Sequence, residues 1–294
     1  MSLLRRSGVD LDSTLDALAM TPGDPTLALS PGRLARATWT PRGPASLEVR
    51  WDDGDDVHVT AWGEGAAWLL ERVPRLLGLE DDASGFAPEG PRPLRDLWRR
   101  YRGDRVGATG TLWHDLAWFV VQQRVARSDA ADQWRRLVTA LGRPAPGALG
   151  LVLPPAPELV ARLGHTDLHP LGLERRRAQA LVSAAREVRR LERLVDGPLP
   201  GAALQAVPGV GPWTVSCLSF HTWGDPDTVV EGDDGVPSRV AWLLSGQRRA
   251  DDAVMRALLE PYRPHRYRVL RLAMRAPAPP RHGPRRSSPD IRRH

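Results

Sequence analysis

The chain has 294 residues, of which 41% are hydrophobic, and its 41 basic and 35 acidic residues leave a formal charge of +6. This length can bury one large core or two ordinary ones. It contains no lysine, which excludes a lysine Schiff base. Its single cysteine, Cys217, excludes an internal disulfide and a multi-cysteine zinc or four-cysteine iron–sulfur site. The apolar neighbours of Cys217 predict a buried structural thiol.

Residues 1–90 are predicted to form a small β-rich N-terminal domain. The opening segment lacks the apolar stretch of a secretion signal, and no run reaches 18 apolar residues, so we expect a soluble, cytoplasmic protein. Apolar residues alternate with polar ones over 47–51 and 57–61, after a first strand at 34–39, which predicts an antiparallel unit. From 65 to 79 the apolar spacing is helical.

Residues 91–274 are predicted to form an all-helical body. The expected helices run over 94–101, 111–126, 128–141, 157–163, 174–194, 201–206, 212–222, 235–245, 251–260 and 265–274. His165 and His169 lie four apart, as two metal ligands can, but Gly164 and Pro170 predict a surface loop and no third ligand is evident.

Residues 275–294 are predicted to be a disordered basic tail, because they are rich in proline and arginine and poor in apolar residues. Ten arginines and one acid lie between Arg263 and His294, so the rest of the chain is slightly acidic. A solvated basic segment over residues 263–294 would therefore account for the whole excess of positive charge.

The segment Pro-Gly-Val-Gly-Pro-Trp at 208–213 is predicted to be a turn between two helices. Gly209 and Gly211 permit positive φ and the close approach of another backbone, and Pro212 suits the first turn of a helix. The start of that helix presents free N–H groups and a positive dipole end, which suit a phosphate oxygen. A plain helix–turn–helix corner explains the same residues.

Three acids, Glu231, Asp233 and Asp234, follow an apolar pair and precede a helix that begins near Val236. An aspartate at this place can cap the helix by accepting hydrogen bonds from its free N–H groups. Close to a phosphate-binding turn, a carboxylate can instead serve catalysis. The residues alone leave both interpretations open.

The turn at 208–213 followed by Gly232-Asp233 at a fixed distance resembles the helix-hairpin-helix superfamily of DNA glycosylases, and within it the bacterial 3-methyladenine DNA glycosylase II enzymes. The resemblance covers residues 25–274. It implies a mainly α, helix-hairpin-helix glycosylase fold with a small antiparallel β-rich N-terminal domain. Each feature is weak alone, whereas their order and spacing together are specific.

The resemblance also implies roles for particular residues. Asp233, rather than Asp234, would be the catalytic carboxylate. The hairpin that holds a DNA phosphate would comprise Pro208, Gly209, Val210, Gly211, Trp213 and Thr214.

Further candidates would act on the base. Gln123 or Arg124 would fill the gap left by an extruded base, and a surface turn is the alternative; related enzymes have an apolar wedge where Arg124 falls. Trp213 would line the base pocket or only pack in the core. His265 falls where the family has an aromatic side chain, which leaves the base selectivity open.

The implied function is that of a monofunctional DNA glycosylase in base excision repair, which flips a damaged base out of duplex DNA and hydrolyses its N-glycosidic bond. The damaged base is expected to be alkylated. No metal or cofactor is expected, and without lysine neither is β-lyase activity. The expected partner is double-stranded DNA with a damaged base, bound by a monomer at the bacterial nucleoid.

Three alternatives compete with this function. The chain can be a non-catalytic helix-hairpin-helix DNA-binding protein, with the changed residues Arg124 and His265 favouring that interpretation. It can also be a glycosylase for oxidised or deaminated bases. A serine hydrolase is disfavoured because the chain has no Gly-x-Ser-x-Gly.

Overall fold

The computed structural model describes residues 2–19 and 21–280 of the chain. Its N-terminal part is an antiparallel sheet with strands β1 (Ser2–Arg5), β2 (Leu27–Ser30), β3 (Arg33–Thr40), β4 (Gly43–Trp51) and β5 (Asp56–Trp62). Their order in space is β1-β5-β4-β3-β2. The three central strands are the predicted ones. The two edge strands were missed because four residues are too few for an alternating pattern to be distinguished from chance.

The central strands bury the apolar residues that the alternation indicates. In β4, Leu47 and Val49 are almost fully buried, and Val49 lies opposite Val59 of β5. The following helix, α2 (Ala66–Leu76), packs against β4 and β5 through residues that include Trp68 and Val73. Together with the short helix α1 (Leu11–Leu15), these elements enclose one hydrophobic cluster.

Within the described residues, the other α-helices follow residue 90. They are α3 (Arg92–Arg100), α4 (Leu112–Gln122), α5 (Arg127–Leu141), α6 (Pro157–Val160), α7 (His165–Leu168), α8 (Arg175–Glu192), α9 (Gly201–Gln205), α10 (Pro212–His221), α11 (Val236–Ser245), α12 (Asp252–Leu259) and α13 (Arg266–Arg275). They surround a second hydrophobic cluster. The prediction of a mainly helical chain with a small antiparallel sheet is confirmed.

Helix α4 is shorter than predicted, and its end has a local cause. The predicted helix ran to residue 126, but α4 ends at Gln122, where Gln123 turns to ψ 122° and Arg124 takes a left-handed φ of 59°. The apolar residue Val125 continues the helical spacing in sequence, so the pattern concealed the break. Residues 123–125, which follow α4, are named the rim loop and lead towards α5.

The predicted surface loop around His165 and His169 is wrong, because α7 begins directly after Gly164 and a short 3-10 helix spans His169–Leu171. Gly164 precedes the helix rather than interrupting it. Pro170 lies in the first turn of the 3-10 helix, where its missing N–H removes no hydrogen bond.

The segment between the predicted helices 128–141 and 157–163 contains a short two-stranded ladder that the sequence did not indicate. Strand β6 (Arg143–Pro144) pairs with β7 (Val152–Leu153) in antiparallel register. Two residues per strand are below what alternation can predict.

A buried ion pair joins the sheet to the helical part. Arg36 of β3 donates from Nη2 to Oδ1 of Asp115 on α4 at 3.1 Å, and both side chains are almost fully buried. Oδ2 of Asp115 also accepts from the hydroxyl groups of Thr109 and Thr222. Because α4 is buried along almost its whole length and packs on α5, α8 and α10, this joint fixes the sheet against the centre of the helical part.

The end of the described chain is tied to the body. Helix α13 ends at Arg275 and Ala276 is buried. Residues 281–294, which make up most of the predicted basic tail, lie outside the described residues. The domain boundary near residue 90 stays a prediction.

Candidate active site

A large cleft of about 1990 Å³ opens in the helical part. Its lining includes the turn between α9 and α10, the rim loop, the acidic loop before α11, one face of α13 and the N-terminal parts of α5 and α8. These elements come from distant parts of the sequence. The packing of α4 against α10 in the core brings them together.

The turn between α9 and α10 needs glycine at one of its two glycine positions. Gly209 has a φ of 88°, and a Cβ added to it would lie 2.4 Å from Cβ of Ala180 on α8. Gly211 is extended, and nothing lies within 4 Å of a Cβ added there. Between them Val210 is buried and anchors the turn in the core. The turn therefore sits directly on α8.

The start of α10 faces the cleft. Pro212 occupies the first turn, and Gly211, the preceding residue, offers no side chain to cap the helix. The amides of the first helical turn have no partner within the helix, and the helix dipole adds partial positive charge at this end. Trp213 and Thr214 also line the cleft. This geometry can hold an anionic oxygen.

Asp233 points into the same cleft and is fixed at both oxygens. Its Oδ2 accepts a hydrogen bond from Nε1 of Trp213 at 3.2 Å. Its Oδ1 accepts from the backbone N–H groups of Gly235 at 2.9 Å and Val236 at 3.1 Å. The side chain is half-buried and lines the cleft. Asp233 thus caps α11 and at the same time presents an oriented carboxylate, so the two interpretations of the sequence are compatible.

The other acids of this loop have different surroundings. Glu231 forms an ion pair with Arg256, with 3.3 Å between Oε1 and Nε. Asp234 is exposed on the cleft lining. Gly232 has a φ of 78° and donates its N–H to Oδ2 of Asp252 at 2.9 Å. These contacts attach the loop to α12 and leave Asp233 as the acid that is oriented by Trp213.

The rim loop is attached to the turn across the cleft. Nε2 of Gln123 donates to the carbonyl oxygen of Gly209 and to Oγ1 of Thr214, each at 2.9 Å. Arg124 is exposed and lines the cleft, and within residues 2–19 and 21–280 its side chain makes no hydrogen bond or ion pair. Gln123 is therefore engaged in the protein, whereas the guanidinium of Arg124 is available.

The deeper wall of the cleft is aromatic and apolar. Phe220 stacks on Tyr267 with ring centroids 4.4 Å apart, and Phe119 meets Trp213 edge-on at 6.2 Å. Cys217 lies beneath them and is buried. Burial, reinforced by the negative charge of Asp233, raises the pKa of the Cys217 thiol well above its ordinary value. The thiol is therefore protonated and packs as a small apolar group, as the sequence suggested.

His265 is not among the residues that line this cleft. Its ring packs against Phe86 with 5.4 Å between centroids, and its Nδ1 accepts a hydrogen bond from Nε of Arg268 at 3.2 Å. Tyr267, Leu270 and Met274 line the cleft instead. The sequence prediction missed them, although their spacing places all three on one face of a helix.

Two arginines of α13, next to the residues that line the cleft, fix this wall in place. Arg268 forms a buried ion pair with Asp81 at 2.6 Å, and Arg271 pairs with Asp104 at 2.7 Å. Nη2 of Arg271 also donates to the carbonyl oxygens of Ser13 and Thr14. These contacts connect the cleft wall to the N-terminal part of the chain.

Among the described residues, no group of three or more His, Cys, Asp or Glu side chains is placed to hold a metal ion. None of the described helices is both long enough and apolar enough to cross a membrane.

Comparison with known proteins agrees with this geometry. No protein-family model matches the chain. Over 185 residues, or 61% of its length, the chain is 31% identical to a Mycobacterium tuberculosis protein described as a probable bifunctional transcriptional activator/DNA repair enzyme AlkA. The chain spans only 37% of the length of that relative.

Solved structures match over almost the whole chain. A 3-methyladenine DNA glycosylase from Archaeoglobus fulgidus has a TM-score of 0.76 at 19% identity, with 93% of this chain and 98% of that chain covered. An 8-oxoguanine glycosylase/lyase from Clostridium acetobutylicum, in complex with double-stranded DNA, has a TM-score of 0.63 at 13% identity, with 91% and 92% covered. The chain therefore has the fold of the helix-hairpin-helix DNA glycosylases, as the resemblance in its sequence predicted.

Proposed function

We propose that the protein is a DNA glycosylase that hydrolyses the N-glycosidic bond of a damaged, alkylated base after flipping the nucleotide into the cleft. The observation that carries the proposal is Asp233: an oriented carboxylate on the wall of a large cleft, hydrogen-bonded to Trp213 of the adjoining turn. A carboxylate so placed can stabilise positive charge that develops on a sugar.

Duplex DNA would be held by its backbone. The free amides at the start of α10 and the positive end of its dipole would bind a phosphate oxygen without reading sequence. Gly211 leaves this approach open, because nothing lies within 4 Å of a Cβ added there. The close packing of Gly209 on α8 keeps the phosphate position at a constant distance from Asp233.

The flipped nucleotide would leave a gap, and we propose that Arg124 rather than Gln123 fills it. The amide of Gln123 is already bound to Gly209 and Thr214, so moving it into DNA would break two hydrogen bonds. The guanidinium of Arg124 can enter the duplex without breaking any such contact among the described residues.

Within the cleft, Asp233 would lie beneath C1′ of the deoxyribose. Its negative charge stabilises the oxocarbenium-like transition state, and the same carboxylate can orient or deprotonate the attacking water. An alkylated base carries positive charge and leaves without a general acid. The aromatic wall next to Trp213 can stabilise such a cation over a ring face, by about 0.5–2 kcal/mol. The names of the similar AlkA and 3-methyladenine glycosylase proteins also favour alkylated bases.

We further propose that the enzyme releases the base and leaves the abasic strand intact. Strand cleavage through a Schiff base needs an amine, and this chain has no lysine. Treatment with borohydride in the presence of damaged DNA should therefore give no covalent complex. Trapping of a stable adduct would contradict this part of the proposal.

The decisive experiment is a single-turnover assay on duplexes that contain 3-methyladenine or 7-methylguanine. Asp233→Asn should slow base release by about 100- to 1,000-fold, the usual loss when electrostatic stabilisation is removed. Asparagine still offers Oδ1 as an acceptor to the backbone N–H groups of Gly235 and Val236, so folding should be retained. The matched control is Asp234→Asn, at the exposed neighbouring acid, which should act like the wild type.

Two other outcomes would replace the proposal. Tight DNA binding without release of any base would identify a non-catalytic DNA-binding protein. Release of 8-oxoguanine or hypoxanthine in preference to the alkylated bases would identify a glycosylase for oxidised or deaminated bases.

A further inference from the structure

The rim loop presents one side chain that the protein does not itself use. Arg124 has a left-handed φ of 59°, an uncommon conformation for a residue with a side chain. The hydrogen bonds of Gln123 to Gly209 and Thr214 hold the neighbouring residue, so the loop is fixed on one side of Arg124. The exposed guanidinium therefore lies at the edge of the cleft, on a loop whose backbone is held in place by the contacts of Gln123.

This position determines what the guanidinium would meet. If the proposed function is correct, a nucleotide of one strand lies in the cleft, and its former partner in the other strand is left without a base pair. A side chain that fills the vacated space faces the hydrogen-bonding edge of that unpaired base. An apolar side chain there could only exclude water, whereas an arginine can form directed hydrogen bonds.

The chemistry of the guanidinium discriminates between the four unpaired bases. Arginine has five N–H donors in a planar fork and no acceptor. Cytosine presents two adjacent acceptors, N3 and O2, on its pairing edge. Thymine has N3–H between its two acceptors, guanine has the single acceptor O6 next to N1–H, and adenine has the single acceptor N1. Two parallel N–H groups therefore match cytosine best.

We propose that Arg124 contacts the unpaired base opposite the flipped nucleotide and selects cytosine. This inference rests on the proposed function and narrows it: the enzyme should favour lesions derived from guanine, which lie opposite cytosine, over lesions derived from adenine, which lie opposite thymine. The selecting contact lies outside the pocket that holds the damaged base.

The test measures DNA binding alone, so that the contact of Arg124 is separated from catalysis. Four duplexes carry a tetrahydrofuran abasic analogue opposite cytosine, thymine, adenine or guanine, and the dissociation constant of each is measured. The wild type should bind the duplex with cytosine about 5- to 10-fold more tightly than the other three, at the lower end of the discrimination expected for a two-donor contact to a base.

Arg124→Lys keeps the positive charge and the backbone requirement but lacks the planar fork. It should bind all four duplexes with similar affinity. The matched control is Arg176→Leu, at another exposed arginine that lines the cleft. Loss of a charge that contacts only phosphate should weaken binding to the four duplexes by the same factor and keep the preference for cytosine.

Equal binding of the four duplexes by the wild type would overturn the inference, and so would a preference for cytosine that persists in Arg124→Lys. The analogue has no base to release, so the result does not depend on catalysis. A preference that disappears in Arg124→Lys supports the inference even if Asp233 proves not to be catalytic. Base release without any preference for cytosine would leave the proposed function standing and this inference refuted.

Discussion

Alanine at Gly209 should destabilise the protein far more than alanine at Gly211, although both glycines belong to the same turn. With a φ of 88°, Gly209 lies in the left-handed region, and its added Cβ would lie 2.4 Å from Cβ and 3.1 Å from Cα of Ala180. Gly211 has a φ of −99°, and its added Cβ would have no neighbour within 4 Å. The two substitutions therefore differ in conformation and in packing.

The size of the effect follows from these two terms. A non-glycine residue in the left-handed conformation costs about 1–2 kcal/mol. Forcing an extra methyl group into a packed contact costs about 1–3 kcal/mol more. The free energy of unfolding should thus fall by about 2–5 kcal/mol for Gly209→Ala. For Gly211→Ala the change should stay below about 1 kcal/mol, because the added Cβ meets nothing and only the preference for glycine over alanine before a helix is lost.

Urea unfolding followed by tryptophan fluorescence measures both variants. A double variant then separates the two terms, because Ala180→Gly removes the methyl group that Gly209→Ala meets. The loss of unfolding free energy in the double variant should be smaller than the sum of the losses in the two single variants. The cost of the left-handed conformation at residue 209 should remain. Affinity for undamaged DNA should fall in Gly209→Ala, since the displaced turn carries the start of α10. Equal unfolding midpoints for the two alanine variants, or additive effects at 180 and 209, would refute the packing explanation.

Other expected outcomes concern the buried ion pair between Arg36 and Asp115, the neighbouring His114, and the contact of Trp213 with Asp233. Asp115→Ala should lower the free energy of unfolding by about 3–5 kcal/mol in urea, because it leaves the buried guanidinium of Arg36 without a counter-charge. Burial, helped by the positive charge of Arg36, holds the pKa of His114 well below its usual 6.5. Since His114 takes up a proton near that pH only when unfolded, stability should fall as the pH drops from 7.5 to 5.5, by up to about 1.4 kcal/mol per pH unit; a His114→Gln variant that keeps the full pH dependence would contradict this. Trp213→Phe removes the donor to Oδ2 of Asp233 and should slow single-turnover base release by about 10- to 100-fold with little loss of stability. A rate equal to that of the wild type would show that the indole does not orient the carboxylate.

The sequence located the turn at 208–213 through local features that a pattern can show, whereas the resemblance to the glycosylases singled out Asp233 among three neighbouring acids. Glycine and proline at set positions indicate a turn and a helix start. By contrast, the sequence prediction directed attention to His265, while the structure places Tyr267, Leu270 and Met274 in the cleft. The periodicity of α13 shows that it has two faces. It does not show which face is turned to the cleft.

The rim loop illustrates the same limit. The sequence left Gln123 and Arg124 as equal candidates, since adjacent polar residues after an apolar helix look alike. Their difference arises from Gly209 and Thr214, which lie more than eighty residues away in the chain and accept the hydrogen bonds of Gln123. No local pattern contains that information.

What the sequence determined by itself is most of the helices, the central strands, the glycine turn and the lack of any lysine amine, because composition and short-range spacing express these directly. The resemblance to the glycosylases added the candidate carboxylate. The tertiary structure alone decided how the carboxylate is held, which residue of the rim loop is available and which face of α13 lines the cleft. These depend on contacts between segments that are distant in the chain, such as Trp213 with Asp233 and Arg268 with Asp81. Such contacts form only when the buried faces of the helices have packed, so the orientation of each side chain follows from the whole core.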